Sequence, residues 1–277
     1  MSDIPREFVF TRYPGKQGTA WLRTAYHMFR QHRGAWVMLV MAYLVVLFLV
    51  GLVPYVGPYG LMILKPVFAV GLLAAAWHQE RGGTPQLSHL FQGFRTNLRA
   101  LLAIGVVFVV GVTIAVLASR LVDGGRLLDL IASGGALTDE ERTARLADPQ
   151  LKVGMLFSSL LCFPVIVATW WAPAVVVFQD ATAKAALGAS LRAAFANWKA
   201  LLVYALLVYV CAAMVPALWF QVTGLLITDP AVAVVANAPM LVYMVFLSAT
   251  VYIADYVSYR DVFHANETLA PLSRSGS

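Results

Sequence analysis

Two ionisable residues lie inside long apolar segments, and their types could support chemistry within a membrane. Lys65 falls in the segment 60–77, and Asp255 falls in the segment 232–256. An ionisable side chain at the membrane centre costs roughly 2.5–3.5 kcal/mol even on the mildest scale, so it marks a functional hypothesis by default. Both residues are therefore candidates for lining or gating a polar path.

The depths of the two residues leave a second interpretation open. Lys65 lies about one and a half turns from the outer end of its predicted helix, where its long stem can snorkel to the surface. Asp255 lies within about a turn of the inner end of its helix. With a rise of about 1.5 Å per residue, the two should be about 20 Å apart and unable to pair directly.

Three tyrosines share a helical face with Asp255, because Tyr252, Tyr256 and Tyr259 follow the spacing of an α-helix. This pattern predicts a polar pocket near the cytoplasmic interface. The same pattern also fits an aromatic belt at that interface, with Asp255 hydrogen-bonded to a nearby hydroxyl or amide.

No motif for catalysis, a cofactor or a metal occurs in the sequence. It lacks HExxH, GxSxG, a Walker-type glycine loop and CxxC, and its five histidines are scattered over different segments. Cys162 and Cys211 lie in apolar segments at similar predicted depths, where small hydrophobic side chains pack at helix contacts. We expect no cofactor and no metal site. No motif favours an enzyme, and an intramembrane lipid enzyme stays open only as a third interpretation.

The composition indicates that these residues lie in a membrane protein. The chain has 277 residues, of which 60% are hydrophobic and 12% are charged, with a mean hydropathy of +0.75. A soluble domain carries about a quarter charged residues. The sequence predicts an all-α membrane protein with one six-helix domain over 19–264, a flexible cytoplasmic tail over 1–18 and a disordered cytoplasmic tail over 265–277. The predicted spans are 36–53, 60–77, 100–119, 153–178, 200–220 and 232–256.

Three amphipathic segments precede alternate spans, at 19–33, 79–99 and 182–198. Each has apolar residues at helical spacing with cations on the other side, which is typical of an interfacial helix whose apolar face points to the acyl chains. The six spans should thus form three hairpins of parallel orientation, each preceded by a cytoplasmic interfacial helix.

The longest polar stretch, 120–152, is predicted to form a small helical cap outside the membrane. Thr138 and Glu141 have the spacing of a capping box, and Asp148–Pro149 should end the helix that they begin.

The cations set the predicted orientation. Fourteen of the twenty lie on the side of the termini, five lie in the cap, and Lys65 is the last. The positive-inside rule then places both termini in the cytoplasm of a bacterial inner membrane protein.

A short string recurs about a hundred residues apart. The string Asn97-x-Arg99-Ala-Leu-Leu recurs as Asn197-x-Lys199-Ala-Leu-Leu, and each copy lies between an amphipathic segment and a span. The asparagines should cap or bend equivalent junctions, and the cations should meet lipid headgroups.

These entry segments, FRTNLRALL and FANWKALL, together with the closing YVSYRDVF over 256–263, carry a resemblance. The layout resembles a family of uncharacterised proteobacterial integral membrane proteins. More distantly it is similar to YciC-like proteins and to the membrane domain of some glycerophosphodiester phosphodiesterases. The phosphodiesterase domain itself has no counterpart here, so the resemblance implies an architecture and no activity.

Two functions remain open, and the sequence favours the first. The first is a scaffold or accessory factor that binds membrane lipids, a protein partner or a second copy of the chain through its basic interfacial helices. The second is a small-solute or lipid transporter with a site between the hairpins. The cations are spread along the chain, so nucleic acid is not an expected partner. A water-accessible cavity between the hairpins that reaches Asp255 or Lys65 would favour transport.

Overall fold

The computed structural model describes residues 8–53, 56–133 and 137–265, and these residues form helices without any β-strand. Six helical stretches are long and apolar enough to cross a membrane, which confirms the predicted number. They are Arg33–Gly51, Tyr59–Glu80, Leu98–Asp123, Pro149–Gln179, Trp198–Leu226 and Pro230–His264. The disordered tail predicted for 265–277 lies outside the described residues, apart from residue 265.

The helices are, in chain order, α1 (Gln17–Gln31), α2 (Arg33–Gly51), α3 (Val56–Glu80), a 3₁₀ helix (Leu87–Arg95), α4 (Leu98–Ala118), α5 (Arg120–Asp123), α6 (Arg126–Ser133), α7 (Asp139–Ala147), α8 (Pro149–Trp170), α9 (Ala172–Gln179), α10 (Ala183–Ala196), α11 (Trp198–Tyr209), α12 (Val215–Leu226) and α13 (Pro230–His264). A π-helical turn, Val210–Met214, joins α11 to α12.

Proline shapes the fourth and fifth spans. The fourth divides at Trp171 into α8 and α9, with Pro173 in the first turn of α9. The fifth contains the π-helical turn directly before Pro216. Proline lacks the N–H that an α-helix interior requires, so breaks and wide turns gather next to it. Pro164 lies within the continuous helix α8.

The predicted polar cap consists of α5, α6 and α7. The capping box is present, because the Thr138 hydroxyl accepts the N–H of Glu141 and the Glu141 carboxylate accepts the N–H of Thr138. Helix α7 ends at Ala147, and Asp148 then caps α8 by accepting the N–H of Gln150 at 2.8 Å. The same two-residue signal therefore ends one helix and begins the next.

A row of small residues brings α4 against α8. Gly111, Ala115 and Ser119 are four residues apart, and Ala115 and Ser119 are buried. A Cβ atom on Gly111 would come within 2.7 Å of the Val165 side chain in α8. Small residues at these positions let two helices approach closely, and α8 is the neighbour of α4 here.

The apolar face of α1 contacts protein, whereas the sequence predicts that it points to lipid. Trp21, Ala25 and Phe29 are fully buried, and α1 packs against α11 and α13. Tyr26 is the exposed aromatic of this helix. An amphipathic pattern shows only that one face avoids water, so it fits a protein contact as well as an acyl boundary.

The second predicted interfacial helix is a 3₁₀ helix seated on α3. Leu90 and Gly93, three residues apart, form its buried face, while Phe91 and Phe94 remain exposed. A Cβ atom added to Gly93 would lie 2.0 Å from the carbonyl oxygen of Val67 in α3. A Cβ atom added to Gly71 of α3 would lie 2.5 Å from the carbonyl oxygen of Leu90 in the 3₁₀ helix. The two glycines therefore allow the backbones to touch, and this contact was not evident from the hydrophobic pattern.

Helix α10 packs through small residues. Its buried residues are Ala186, Ala189, Ser190, Ala193 and Ala194. Two aromatics at the end of the predicted amphipathic segment 182–198, Phe195 and Trp198, are more than half exposed. The small side chains let α10 lie close to α8 and α9.

Residues 8–16 belong to the segment for which the sequence predicts a flexible tail, but they are anchored to the helices. The N–H of Thr11 donates to the carbonyl of Val262 at 2.7 Å, and Phe10 lies edge-on to Phe263. The N–H of Tyr13 donates to the side-chain oxygen of Asn197 at 2.8 Å.

Burial differs between the two ends of the bundle. We call the terminal half the part that consists of residues 8–16, α1, the 3₁₀ helix, α9, α10 and the last two turns of α13. Its buried large side chains include Trp21, Phe29, Phe178 and Tyr259. We call the cap half the part that consists of α5–α7, α12 and the first half of α13. Most residues of α12 and of 230–242 are exposed, as expected where lipid replaces protein neighbours.

Candidate functional site around Asp255

Asp255 lies in α13, where helices from all three predicted hairpins meet. The Tyr204 hydroxyl of α11 donates to its carboxylate at 3.1 Å, and Trp170 at the end of α8 lines the same cavity as Asp255. Tyr204 is buried by Trp21 and Trp170, with ring centroids 6.3 and 5.5 Å away. The carboxylate is thus held by one aromatic donor from another helix.

A small cavity opens beside this carboxylate. Its volume is about 40 Å³, and it is lined by Ala69, Leu72, Leu73, Trp170, Trp171, Pro173, Ala174, Tyr252 and Asp255. These residues come from α3, the α8–α9 junction and α13. A site for one water molecule needs at least about 10–15 Å³ and polar partners, and this cavity provides both.

Lys65 lies much closer to Asp255 than the sequence predicts. Its charge interacts with the Asp255 carboxylate, although no direct ion pair joins the two among the described residues. Its ammonium group is 5.4 Å from the centroid of the Phe108 ring. The predicted separation of about 20 Å assumed straight spans along the membrane normal, whereas side chains can reach along the bundle between tilted helices.

The three tyrosines of α13 do not share one pocket. Tyr252 lines the cavity and hydrogen-bonds to Tyr43 of α2. Tyr256 donates its hydroxyl to Glu80 at the end of α3. Tyr259 instead meets Gln179 and His264, at 3.2 and 2.9 Å. One helical face is wide enough to contact several helices, so its polar groups divide among them.

Sequence reasoning did not single out Tyr204 or Trp170. Each looks like an ordinary aromatic residue of a membrane span, because hydropathy treats it as apolar. The available signal was the polar tip of each ring, since buried Tyr and Trp side chains usually find a hydrogen-bond partner. Asp255 was the obvious acceptor within the spans.

The geometry suits the binding of a proton or a polar group. A carboxylate with one fixed donor keeps acceptor capacity for further donors from the cavity side. Lys65 supplies a compensating charge at longer range. Aromatic rings around the site also favour a cationic group on energetic grounds.

The four predicted hairpin-entry residues lie at helix junctions but act differently. Asn97 caps α4 by accepting the N–H of Ala100 at 3.3 Å. Asn197 separates α10 from α11 and holds the N-terminal segment, donating to the carbonyl of Thr11 at 3.0 Å. Arg99 and Lys199 are exposed in the first turns of α4 and α11. The internal repeat itself stays a prediction.

The cysteines and histidines form no ligand cluster among the described residues. Cys162 and Cys211 are both free thiols. His78 and His89 lie next to each other, with ring centroids 4.9 Å apart. Burial and the neighbouring His78 lower the pKa of His89.

One known protein matches almost the whole chain. The sequence is 30% identical over 268 residues to a "Probable inner membrane protein" of Burkholderia thailandensis, and the match covers 92% of this chain and 94% of that protein. The chain belongs to this family. Together with the six apolar helices, the match makes it a bacterial multi-pass inner membrane protein.

No family model and no solved structure matches the chain. The resemblance to uncharacterised bacterial membrane proteins is thus supported, whereas the similarity to YciC-like proteins and to the phosphodiesterase membrane domain stays an expectation. The architecture around Asp255 must carry any functional argument.

Proposed function

We propose that this inner membrane protein is a transporter of a small solute or lipid, with its site between the hairpins at Asp255. One observation carries the proposal: a carboxylate, its Tyr204 donor and a cavity lined by Trp170 converge where α3, α8, α11 and α13 meet. A scaffold needs only apolar side chains at such a depth. An ionisable side chain there costs free energy, so its presence favours a function that uses the charge.

The proposal includes a topology of three parallel hairpins with both termini in the cytoplasm. It is supported by the fourteen cations on the terminal side and by the polar network at that end, where Arg260 pairs with Glu80 and Asp261. The 120–152 cap then lies on the periplasmic side. The proposal assigns no catalytic step to the chain.

The size of the cavity is consistent with a closed state. A volume of about 40 Å³ holds water rather than a solute, so a substrate requires movement of a neighbouring helix. Helix α12 with the first half of α13 is the best candidate for that movement. This part of the chain has few protein neighbours, and α12 begins directly after the π-helical turn and contains Pro216 in its first turn, where backbone hydrogen bonding is already altered.

Cysteine accessibility tests this proposal. A variant with both native cysteines replaced by serine would carry Ala69→Cys at the cavity wall. It would be exposed to a charged, membrane-impermeant methanethiosulfonate in right-side-out vesicles and in inverted vesicles. A transporter exposes its site to both sides in turn, so we expect labelling in both preparations.

Two control positions calibrate the experiment. Leu206→Cys faces the lipid region and should resist the charged reagent, whereas Thr143→Cys in the cap should react readily in right-side-out vesicles. If Ala69→Cys is as unreactive as Leu206→Cys on both sides, transport is refuted. Labelling from one side only would support a binding scaffold instead.

A lipid-binding scaffold is the second candidate function. It is favoured by exposed aromatic side chains among the cations of the terminal half, such as Tyr26, Phe195 and Trp198. Such residues anchor a protein at a membrane interface whatever else it does. This second function therefore rests on a feature that a transporter would also have.

A further inference from the structure

An open groove lies in the terminal half, between the anchored N-terminal segment and the junction of α10 with α11. Its volume is about 650 Å³, and it is lined by Phe10, Arg12, Leu191, Arg192, Phe195, Ala196 and Trp198. We propose that this groove binds the phosphate group of an anionic phospholipid in the adjacent leaflet. The site is separate from the cavity at Asp255 and does not depend on transport.

Two arginines supply the charge of the groove. Arg12 and Arg192 are both exposed, and neither makes an ion pair or hydrogen bond with another described residue. No acidic side chain lines the groove. Two free guanidinium groups on one concave surface can bind a phosphate through several charge-assisted hydrogen bonds.

Asn197 fixes the position of one of these arginines. Its side chain donates to the carbonyl of Thr11 at 3.0 Å and accepts the N–H of Tyr13 at 2.8 Å. The backbone on both sides of Arg12 is therefore tied to the start of α11. Arg192 lies on α10, which ends next to Asn197. The two arginines are thus held near each other before any ligand binds, which lowers the entropy cost of binding.

The depth of the groove fits a headgroup. Trp198 is the first residue of the fifth membrane span, and Phe10 packs against Phe263 at the end of the sixth. The ammonium group of Lys199 is 5.6 Å from the centroid of the Trp198 ring, which adds a third cation at this level. Trp residues at the end of a span are typical of the membrane interface.

An exposed apolar stripe continues from the groove into the membrane region. Trp198, Leu202, Leu206 and Tyr209 follow helical spacing along α11, and each is more than half exposed. Acyl chains can lie along this stripe while the phosphate contacts the arginines. A soluble phosphate compound would gain nothing from Phe195 and Trp198, which are 56% and 55% exposed, so the combination favours a lipid.

Native mass spectrometry of the full-length protein in detergent tests the proposal, with dioleoyl phosphatidylglycerol as the probe and dioleoyl phosphatidylcholine as the neutral comparison. The wild type should retain phosphatidylglycerol in preference to phosphatidylcholine. The double variant Arg12→Gln/Arg192→Gln should bind phosphatidylglycerol about thirtyfold more weakly, because each of the two lost cations near a lipid surface is worth about 1 kcal/mol. The double variant Arg12→Lys/Arg192→Lys keeps the charge and should recover part of the loss.

The matched control is Arg23→Gln/Arg33→Gln. It removes two exposed cations that lie outside the groove, one in α1 and one at the start of α2. We expect the affinity for phosphatidylglycerol to change less than about twofold. An equal loss in both double variants would show diffuse attraction to lipid and overturn the site. So would unchanged binding in Arg12→Gln/Arg192→Gln, or complete displacement of the lipid by millimolar inorganic phosphate, which would indicate a soluble anion. A thermal melt of each variant verifies that the fold is retained.

Discussion

The terminal half and the cap half of the molecule are stabilised in different ways. In the terminal half, large aromatics pack edge to face, as Trp21 does with Trp171 at 6.5 Å, and polar side chains join distant segments. Asp261 accepts hydrogen bonds from Gln17 and Trp21, at 2.9 and 3.1 Å. In the cap half, α12 and the start of α13 contact each other but little else.

This difference indicates where the chain is fixed and where it can move. Protein contacts hold the terminal half as one core that includes the floor of the Asp255 cavity. Helix α12 and the first half of α13 have few protein contacts and rely on lipid, which does not impose one position on a helix. The molecule thus has a rigid half that carries the polar groups and a half whose helices can shift.

The largest effect is expected from removing a buried tryptophan. Trp171→Ala would leave a cavity in the terminal half and remove the hydrogen bond from its indole to Ser258, which is 3.1 Å long. Replacement of a buried Trp by Ala typically costs about 3–5 kcal/mol. Thermal unfolding in detergent should show a loss of this size.

Trp219→Ala is the matched control in the cap half. Trp219 is 39% exposed, compared with 1% for Trp171, and it hydrogen-bonds to Asn237. We expect a cost below about 1 kcal/mol, since a partly exposed side chain loses few packing contacts. Equal losses for the two variants would mean that the two halves are equally tightly packed.

A methyl group added to Gly93 should give the next largest effect. Its Cβ atom would lie 2.0 Å from the carbonyl oxygen of Val67, so the 3₁₀ helix has to move off α3. We expect Gly93→Ala to cost about 1–3 kcal/mol through overpacking. The control Gly188→Ala adds the same group in open space inside α10 and should be neutral or stabilising by up to about 1 kcal/mol. Hydrogen exchange of the 3₁₀ helix would locate the change.

The number of membrane helices was predictable from the sequence, because about 20 consecutive apolar residues give a strong local signal. The capping box at Thr138 and Glu141 was predictable for the same reason, since its partners are three residues apart. The partner of the apolar face of α1 was not, because an apolar stripe does not reveal whether protein or lipid covers it.

The candidate site was predictable only in part. Lys65 and Asp255 stood out as charges in apolar segments, but their proximity depends on how the helices tilt and pack. Tyr204 joins Asp255 from 51 residues away along the chain, and nothing in the local sequence marks that contact. Contacts between distant segments follow from the assembled fold, so one sequence does not specify them.

Replacing one carboxylate in each half by an amide should give a smaller difference in the free energy of unfolding. Asp261→Asn weakens the hydrogen bonds that join α1 to α13 and removes the pairing with Arg260, for an expected cost of about 1–3 kcal/mol. Asp148→Asn removes the exposed pair with Arg126 in the cap half but keeps a side chain that can cap α8, so its cost should be about 0–1 kcal/mol. Chemical denaturation in mixed micelles compares the two. A larger effect for Asp148→Asn would contradict the contrast between the halves.

The smallest predicted effect is a pH dependence confined to the terminal half. Burial and the neighbouring His78 lower the pKa of His89 in the folded protein, so the folded state binds fewer protons than the unfolded chain. Stability should fall as the pH drops through about 6.5, the ordinary histidine value, and become constant below the folded pKa. We expect a small loss of stability between about pH 7.5 and 5.5 that is reduced in His89→Asn. All five histidines lie outside 90–263. The hydrogen-exchange rates of the cap half should therefore show no such titration. A profile unchanged by His89→Asn would assign the titration to another group.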